Sequence, residues 1–177
     1  MVKYKIAKNP SFFGRSRKAD TKVFHTKAKT VKVKELPPHP LRDQVPVGKY
    51  YLGEELSSEE LQTGQSFTYQ FTVQGEGNIS AIDAPAVTES KDFDFYAPNI
   101  NQNINRSNNK VRGSKTFDYY AIPNEPGKYD LKDYISLIYF DPYQEKYDTL
   151  KSRFTVNVTG ESKKNVSISS NDLGSFY

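Results

Sequence analysis

The feature that most constrains the fold is the stretch Ser66–Gln74, in which apolar and polar side chains alternate without interruption. The apolar members are Phe67, Tyr69, Phe71 and Val73. Side chains of a β-strand point alternately to two faces, whereas a helix repeats every 3.6 residues. The stretch therefore predicts a strand with one buried face and one solvated face.

Further segments with strand character follow at a spacing of about 8–12 residues, separated by turns rich in Gly, Pro and Asn. They are Tyr50–Leu56, Phe93–Phe95, Ser114–Ile122, Tyr134–Phe140 and Arg153–Thr159. The apolar Tyr134–Phe140 segment is expected to be buried on both faces. With 13 Tyr and 11 Phe and no Trp, the aromatic content suits pleated sheets. These observations predict an all-β protein, an immunoglobulin-like β-sandwich.

Two segments are expected to lie outside the sheets. Ser57–Leu61 has a residue suited to an N-cap and room for one helical turn. Asn99–Asn109 is rich in Asn and is predicted to be a loop.

A Pro-rich stretch, Leu36–Pro40, gives the best domain boundary, because Pro cannot continue a helix or a central strand. We expect residues 1–36 to be the last strands of a preceding β domain, with Val31 and Val33 on a strand. Residues 37–46 are predicted to be a linker, residues 47–160 the sandwich, and residues 161–177 a flexible tail.

The charge is unevenly distributed. Residues 1–42 hold 12 Lys and Arg against 2 acids, whereas residues 43–177 hold 13 against 19. A basic arm of this kind can bind nucleic acid. Here the basic residues interleave with apolar ones, which favours solvent-facing strand positions that protect a sheet edge.

No set of residues predicts catalysis, metal ligation or cofactor binding. Cysteine is absent, and the two histidines, His25 and His39, lack acidic or nucleophilic neighbours at a useful spacing. Asp141, Glu145 and Asp148 gather in one loop, but that loop has no glycine and contains a lysine, which favours a solvated hairpin over a calcium site. The chain is therefore expected not to be an enzyme.

Several short motifs occur in an order that resembles the BatD family, known from the aerotolerance operon of Bacteroides and described as "oxygen tolerance" proteins. The motifs are Gln74–Ile79, Gly113–Pro123, Pro126-Gly127, Ile138–Pro142, Tyr147–Leu150 and Val156–Gly160. Leu36-Pro37 ahead of Val47-Gly48 is similar to the joint between two domains of that family.

The resemblance implies immunoglobulin-like domains on the periplasmic, extracytoplasmic side of a Bacteroidetes-type envelope, in a protein with a signal peptide and a C-terminal membrane anchor. This chain shows neither, so we expect it to be a fragment. Implied partners are membrane proteins with von Willebrand factor A domains and a MoxR-type ATPase system, and no nucleic acid. The expected function is a non-catalytic protein-interaction domain linked to aerotolerance and stress resistance.

Tyrosines are the candidate partner contacts, because consecutive strand residues such as Tyr119 and Tyr120 cannot both face the core. If residues 114–122, 134–140 and 147–158 pair, several tyrosines would lie on or near adjacent strands: Tyr119, Tyr120, Tyr139, Tyr143 and Tyr147. Of these, Tyr120, Tyr143 and Tyr147 are the candidates for an exposed patch. Such a patch suits protein partners. Stacking on sugars, as in a carbohydrate-binding module, is the alternative, and simple cross-strand aromatic pairing would carry no function.

Overall fold

The computed structural model describes residues 2–7 and 19–162, with side chains from residue 23 onward. It contains twelve strands within those residues: β1 (Val2–Ala7), β2 (Ala19–Phe24), β3 (Gly48–Leu56), β4 (Glu60–Gln62), β5 (Phe67–Gly77), β6 (Phe93–Phe95), β7 (Asn99–Ser107), β8 (Lys110–Pro123), β9 (Gly127–Asp130), β10 (Ser136–Asp141), β11 (Lys146–Lys151) and β12 (Thr155–Thr159). Short 3₁₀ turns lie at Ile79–Ala81 and Leu131–Asp133.

The chain divides into two units, Met1–Leu36 and Pro37–Tyr177. In the first unit β1 and β2 pair antiparallel. The strand expected at Val31 and Val33 is wrong, because residues 25–36 have no regular structure and both valines are exposed. Alternation of apolar and polar residues does not form a strand here, because the apolar side chains of Val31 and Val33 are not covered by any part of the described structure. The assignment of residues 1–36 to a preceding domain stays a prediction.

In the second unit one layer is an antiparallel sheet with the strand order β3-β5-β8-β6, and β7 also pairs with β8. The alternation predicted for Ser66–Gln74 is confirmed, because Tyr69, Phe71 and Val73 are fully buried. β8 adds Phe117 opposite Phe71, so the inner face of this sheet is largely aromatic.

The opposing layer consists of a three-stranded sheet, β4-β12-β9, and the β10–β11 hairpin. Val156 of β12 and Ile135, just before β10, are completely buried in the same hydrophobic core as the first sheet. Two layers that enclose one apolar core are a β-sandwich, which confirms the predicted fold class. The immunoglobulin-like arrangement is compatible with this strand order.

Three local predictions differ from the structure. The helical turn expected at Ser57–Leu61 is wrong, since β4 begins at Glu60 and pairs in parallel with β12. The Asn-rich loop is also wrong, because Asn99–Ser107 forms β7. In β10 only Tyr139–Asp141 are buried, so the strand is covered on both faces at one end only. The tail predicted for residues 161–177 lies outside the described residues beyond Ser162.

Candidate partner-binding surface

The turn of the β10–β11 hairpin presents Tyr143 to solvent. Oδ1 of the buried Asp141 accepts hydrogen bonds from the backbone N–H groups of Tyr143 at 2.8 Å and Gln144 at 3.2 Å. Glu145 completes the turn with a φ of 51°. Asp141 therefore holds the turn by hydrogen bonds, and Tyr143 projects from it with 63% of its surface exposed.

Tyr143 belongs to a charged group that we call the Glu76 cluster: Lys49, Glu76, Lys110, Arg112 and Tyr143. The Tyr143 hydroxyl donates to Glu76 Oε1 at 2.7 Å. Lys110 Nζ lies 2.9 Å from Glu76 Oε1, and Arg112 Nη2 lies 3.0 Å from Oε2. Together the five residues line a shallow depression of about 340 Å³. Lys110 and Arg112 pair with the one carboxylate and Lys49 lines the same depression, so these five residues together carry net positive charge.

The same contacts set the ionisation of the cluster. Hydrogen bonds from Tyr143 and Lys110, and then from Arg112, lower the pKa of Glu76 to about 2. The bond to Glu76 in turn raises the pKa of Lys110 above its usual value. Both side chains are therefore charged across the physiological pH range.

Glycines on either side of Glu76 let the end of β5 adopt its conformation. Gly75 has a φ of 152° and Gly77 a φ of 154°, a region that other residues avoid. A Cβ on Gly75 would also collide with the carbonyl oxygen of Lys49. The Gly75-Glu76-Gly77 sequence, part of the Gln74–Ile79 motif, is therefore the sequence signal for this site.

Tyr147, the second candidate residue, contacts the Pro-rich segment. Its hydroxyl donates to the carbonyl oxygen of Pro37 at 2.7 Å. Its ring stacks on His39 with 4.3 Å between centroids and meets Phe140 edge-on at 5.1 Å. Because the hydroxyl and much of the ring are used within the molecule, Tyr147 fastens the Pro-rich segment to the hairpin.

Tyr120, the third candidate residue, lies on the outer face of β8 and is 41% exposed. Its ring is 5.5 Å from that of Tyr96, at an angle of 59° between the ring planes. Tyr96 also lines a depression of about 660 Å³ beside β6. Sequence reasoning missed Tyr96, although an aromatic residue directly after the Phe93–Phe95 strand is a signal for it.

The structure does not bring the three candidate tyrosines together. The expected pairing of residues 114–122 with residues 134–140 is wrong, because β10 pairs with β11 and β8 pairs with β5, β6 and β7. Tyr120 lies opposite Thr68, and Glu76 lies eight residues further along β5, which is about 26 Å at 3.3 Å per residue. Tyr120 and Glu76, which Tyr143 contacts, therefore lie at opposite ends of the first sheet.

His39, a further polar candidate of the Pro-rich segment, accepts a hydrogen bond. Nδ1 of His39 accepts the N–H of Leu41 at 3.1 Å. Within residues 2–7 and 19–162, no three His, Cys, Asp or Glu side chains converge as metal ligands would. In the same part of the chain no helix has the length and hydropathy required to cross a bilayer.

Comparison with known proteins identifies the family. The model described as "BatD DUF11 like domain" matches residues 54–158, which is more than half of the chain. This range runs from within β3 to within β12 and includes Tyr120, Tyr143 and Tyr147. Searches of curated proteins and of solved structures returned no significant match. On the strength of the family match, the chain belongs to the BatD family.

Proposed function

We propose that this chain is a non-catalytic protein-interaction domain of an extracytoplasmic, membrane-anchored BatD-like protein. In this proposal it contacts its partner through Tyr143 and the rest of the Glu76 cluster. The observation that supports the proposal is the state of Tyr143, which is largely exposed yet anchored through its hydroxyl. An aromatic side chain that is already ordered loses little entropy when a partner covers it.

The charge of the cluster indicates the chemistry of the partner. Lys49, Lys110 and Arg112 line the depression with Glu76 as its one acidic residue, so an acidic segment would be favoured beside the Tyr143 ring. The family suggests membrane proteins with von Willebrand factor A domains, together with the MoxR-type ATPase system, as partners. The complex would lie at the periplasmic face of the envelope and contribute to aerotolerance and stress resistance.

Calorimetric titration against the soluble part of such a von Willebrand factor A protein tests the proposal. We expect micromolar or tighter binding and at least a tenfold loss of affinity for Tyr143→Ala, which corresponds to about 1.4 kcal/mol. Tyr143→Phe keeps the ring and removes the hydrogen bond to Glu76. Its affinity should therefore lie between those of the unmodified chain and Tyr143→Ala. Tyr120→Ala is the matched control, because it removes an exposed tyrosine at the end of the first sheet far from the Glu76 cluster.

Binding that depends on Tyr120 and not on Tyr143 would place the contact at the other end of the sheet and refute this assignment. An absence of heat with every partner would refute the docking role of this domain. The carbohydrate-binding alternative is tested by thermal shift across a glycan panel. The tilt between Tyr96 and Tyr120 gives no flat platform for a sugar ring, so we expect no shift.

A further inference from the structure

The two edges of the first sheet differ in how they are protected. The edge strand β3 carries Lys49 and Glu55, exposed charges of the kind that discourage pairing with another chain. At the other edge, β7 has no charge, Pro or Gly between Asn99 and Asn105. Within the described residues only β8 pairs with β7. The outer side of β7 is therefore available to a further strand.

The first seven residues of β7 form a palindrome. Residues 99–105 read Asn-Ile-Asn-Gln-Asn-Ile-Asn, with Gln102 at the centre. When two identical strands pair antiparallel about a two-fold axis, a palindrome places each residue opposite its own kind. Asn and Gln amides both donate and accept hydrogen bonds, so each can bind its own kind across the axis. The segment is thus complementary to itself.

The directions of the backbone N–H and C=O groups of β7 agree with a two-fold axis at Gln102. The carbonyl oxygen of Tyr120 in β8 accepts a hydrogen bond from the N–H of Tyr96, which directly follows β6. Because alternate residues of a strand direct their N–H and C=O groups to the same side, the even-numbered residues of β8 direct theirs toward β6 and β7. Their partners in β7 are odd-numbered, as in the pair Thr116 and Asn101. The even-numbered residues of β7, with Gln102 at the centre, therefore direct theirs toward the open edge.

We propose that two copies of this chain associate by antiparallel pairing of β7 with β7 about a two-fold axis at Gln102. Gln102 would exchange two backbone hydrogen bonds with Gln102 of the second copy, and Ile100 would do so with Ile104. The pairing ends where Pro98 of one copy meets Arg106 of the other, because Pro has no N–H to donate. The first sheets of the two copies then form one continuous sheet. This proposal does not depend on the partner-binding role.

Sedimentation velocity of the whole chain over a range of concentrations tests the association. We expect a dimer that is lost in Gln102→Lys, because two like charges would face each other at the axis. Gln74→Lys is the matched control: it makes the same change at an exposed position of the same sheet, away from β7. We expect this variant to remain dimeric.

Single cysteines then test the register, since the chain has none of its own. With Gln102→Cys the two Cα atoms would be about 5.5 Å apart across the axis, within reach of a short bis-maleimide. With Arg106→Cys, on the same strand, they would be roughly 26 Å apart. We expect rapid crosslinking of the first variant alone. A monomer at all concentrations, a dimer that survives Gln102→Lys, or faster crosslinking of Arg106→Cys would overturn the proposal.

Discussion

At the scale of single residues, the most informative side chain for stability is Glu54. It lies on the core side of β3, opposite Phe71, and its side chain is only 1% exposed. Tyr69 and Ser152 donate to Oε2 at 2.9 and 2.8 Å, and the backbone N–H of Arg153 donates to Oε1 at 3.0 Å. One carboxylate therefore joins the first sheet to the connection between β11 and β12 in the other layer.

The ionisation of Glu54 reflects a balance between burial and hydrogen bonding. Burial alone would raise the pKa of Glu54, but hydrogen bonds from Ser152, from the N–H of Arg153 and from Tyr69 outweigh it and leave the pKa below its usual value. Arg153 also pairs with it, but that side chain is 84% exposed, so solvent screens its charge. Neutral donors thus provide most of the stabilisation.

We expect Glu54→Gln to lower the free energy of unfolding at pH 7 by about 2 kcal/mol, the scale of hydrogen bonds to a charged group. Because the pKa of Glu54 is lower in the folded state, its contribution is complete above the unfolded value of about 4.5 and is lost as the pH falls through the folded value. The free energy of unfolding, measured with urea between pH 7 and pH 3, should therefore fall less steeply for Glu54→Gln than for the unmodified chain.

Glu55→Gln is the control, since it makes the same change at the exposed neighbouring residue. Glu76 also has a lowered pKa, so its protonation at low pH reduces stability as well. This loss is the same in the unmodified chain and in both variants, so it cancels when they are compared. Parallel pH curves for Glu54→Gln and the unmodified chain would show that folding does not change the pKa of Glu54, which would contradict the prediction.

At the scale of structural elements, the β7–β8 hairpin is the clearest case in which pairing overrides local preference. Asn is depleted in strands, yet β7 pairs with β8 along its whole length. The two strands are joined by Asn108 and Asn109, with φ values of 50° and 58°. Positive φ at both central residues is the type I′ turn, whose twist matches that of the flanking strands.

We expect Asn109→Gly to raise the free energy of unfolding by about 0.5–1 kcal/mol, because glycine adopts a positive φ without steric cost. Asn109→Val should lower it, since a β-branched residue is strained there. Thermal unfolding of both variants measures the effect. Asn103→Gly, inside β7, should act in the opposite direction to Asn109→Gly. A change of the same sign in the free energy of unfolding for Asn109→Gly and Asn103→Gly would contradict the turn assignment.

At the scale of the whole molecule, the parts that sequence could predict were those whose signal is local. The alternation in Ser66–Gln74 predicted the inner face of β5. The expectation that Tyr119 and Tyr120 cannot both face the core is also confirmed, since Tyr119 is buried and Tyr120 is exposed. The β4 strand could not be found in this way, because it depends on a partner strand, β12, that is distant in sequence. The contact of Tyr143 with Glu76 depends on tertiary structure in the same way.

The position of β12 between β9 and β4 has a mechanical consequence. β12 pairs antiparallel with β9 on one side and in parallel with β4 on the other. Hydrogen bonds of an antiparallel pair run across the strands, and those of a parallel pair are slanted. Tension applied along β12 therefore loads both ladders in shear, so that they rupture together, whereas the β10–β11 hairpin would unzip pair by pair. Stretched in an optical trap between residues 48 and 162, the sandwich should resist force and then yield in one abrupt step; gradual extension at low force would show that β12 does not bear the load.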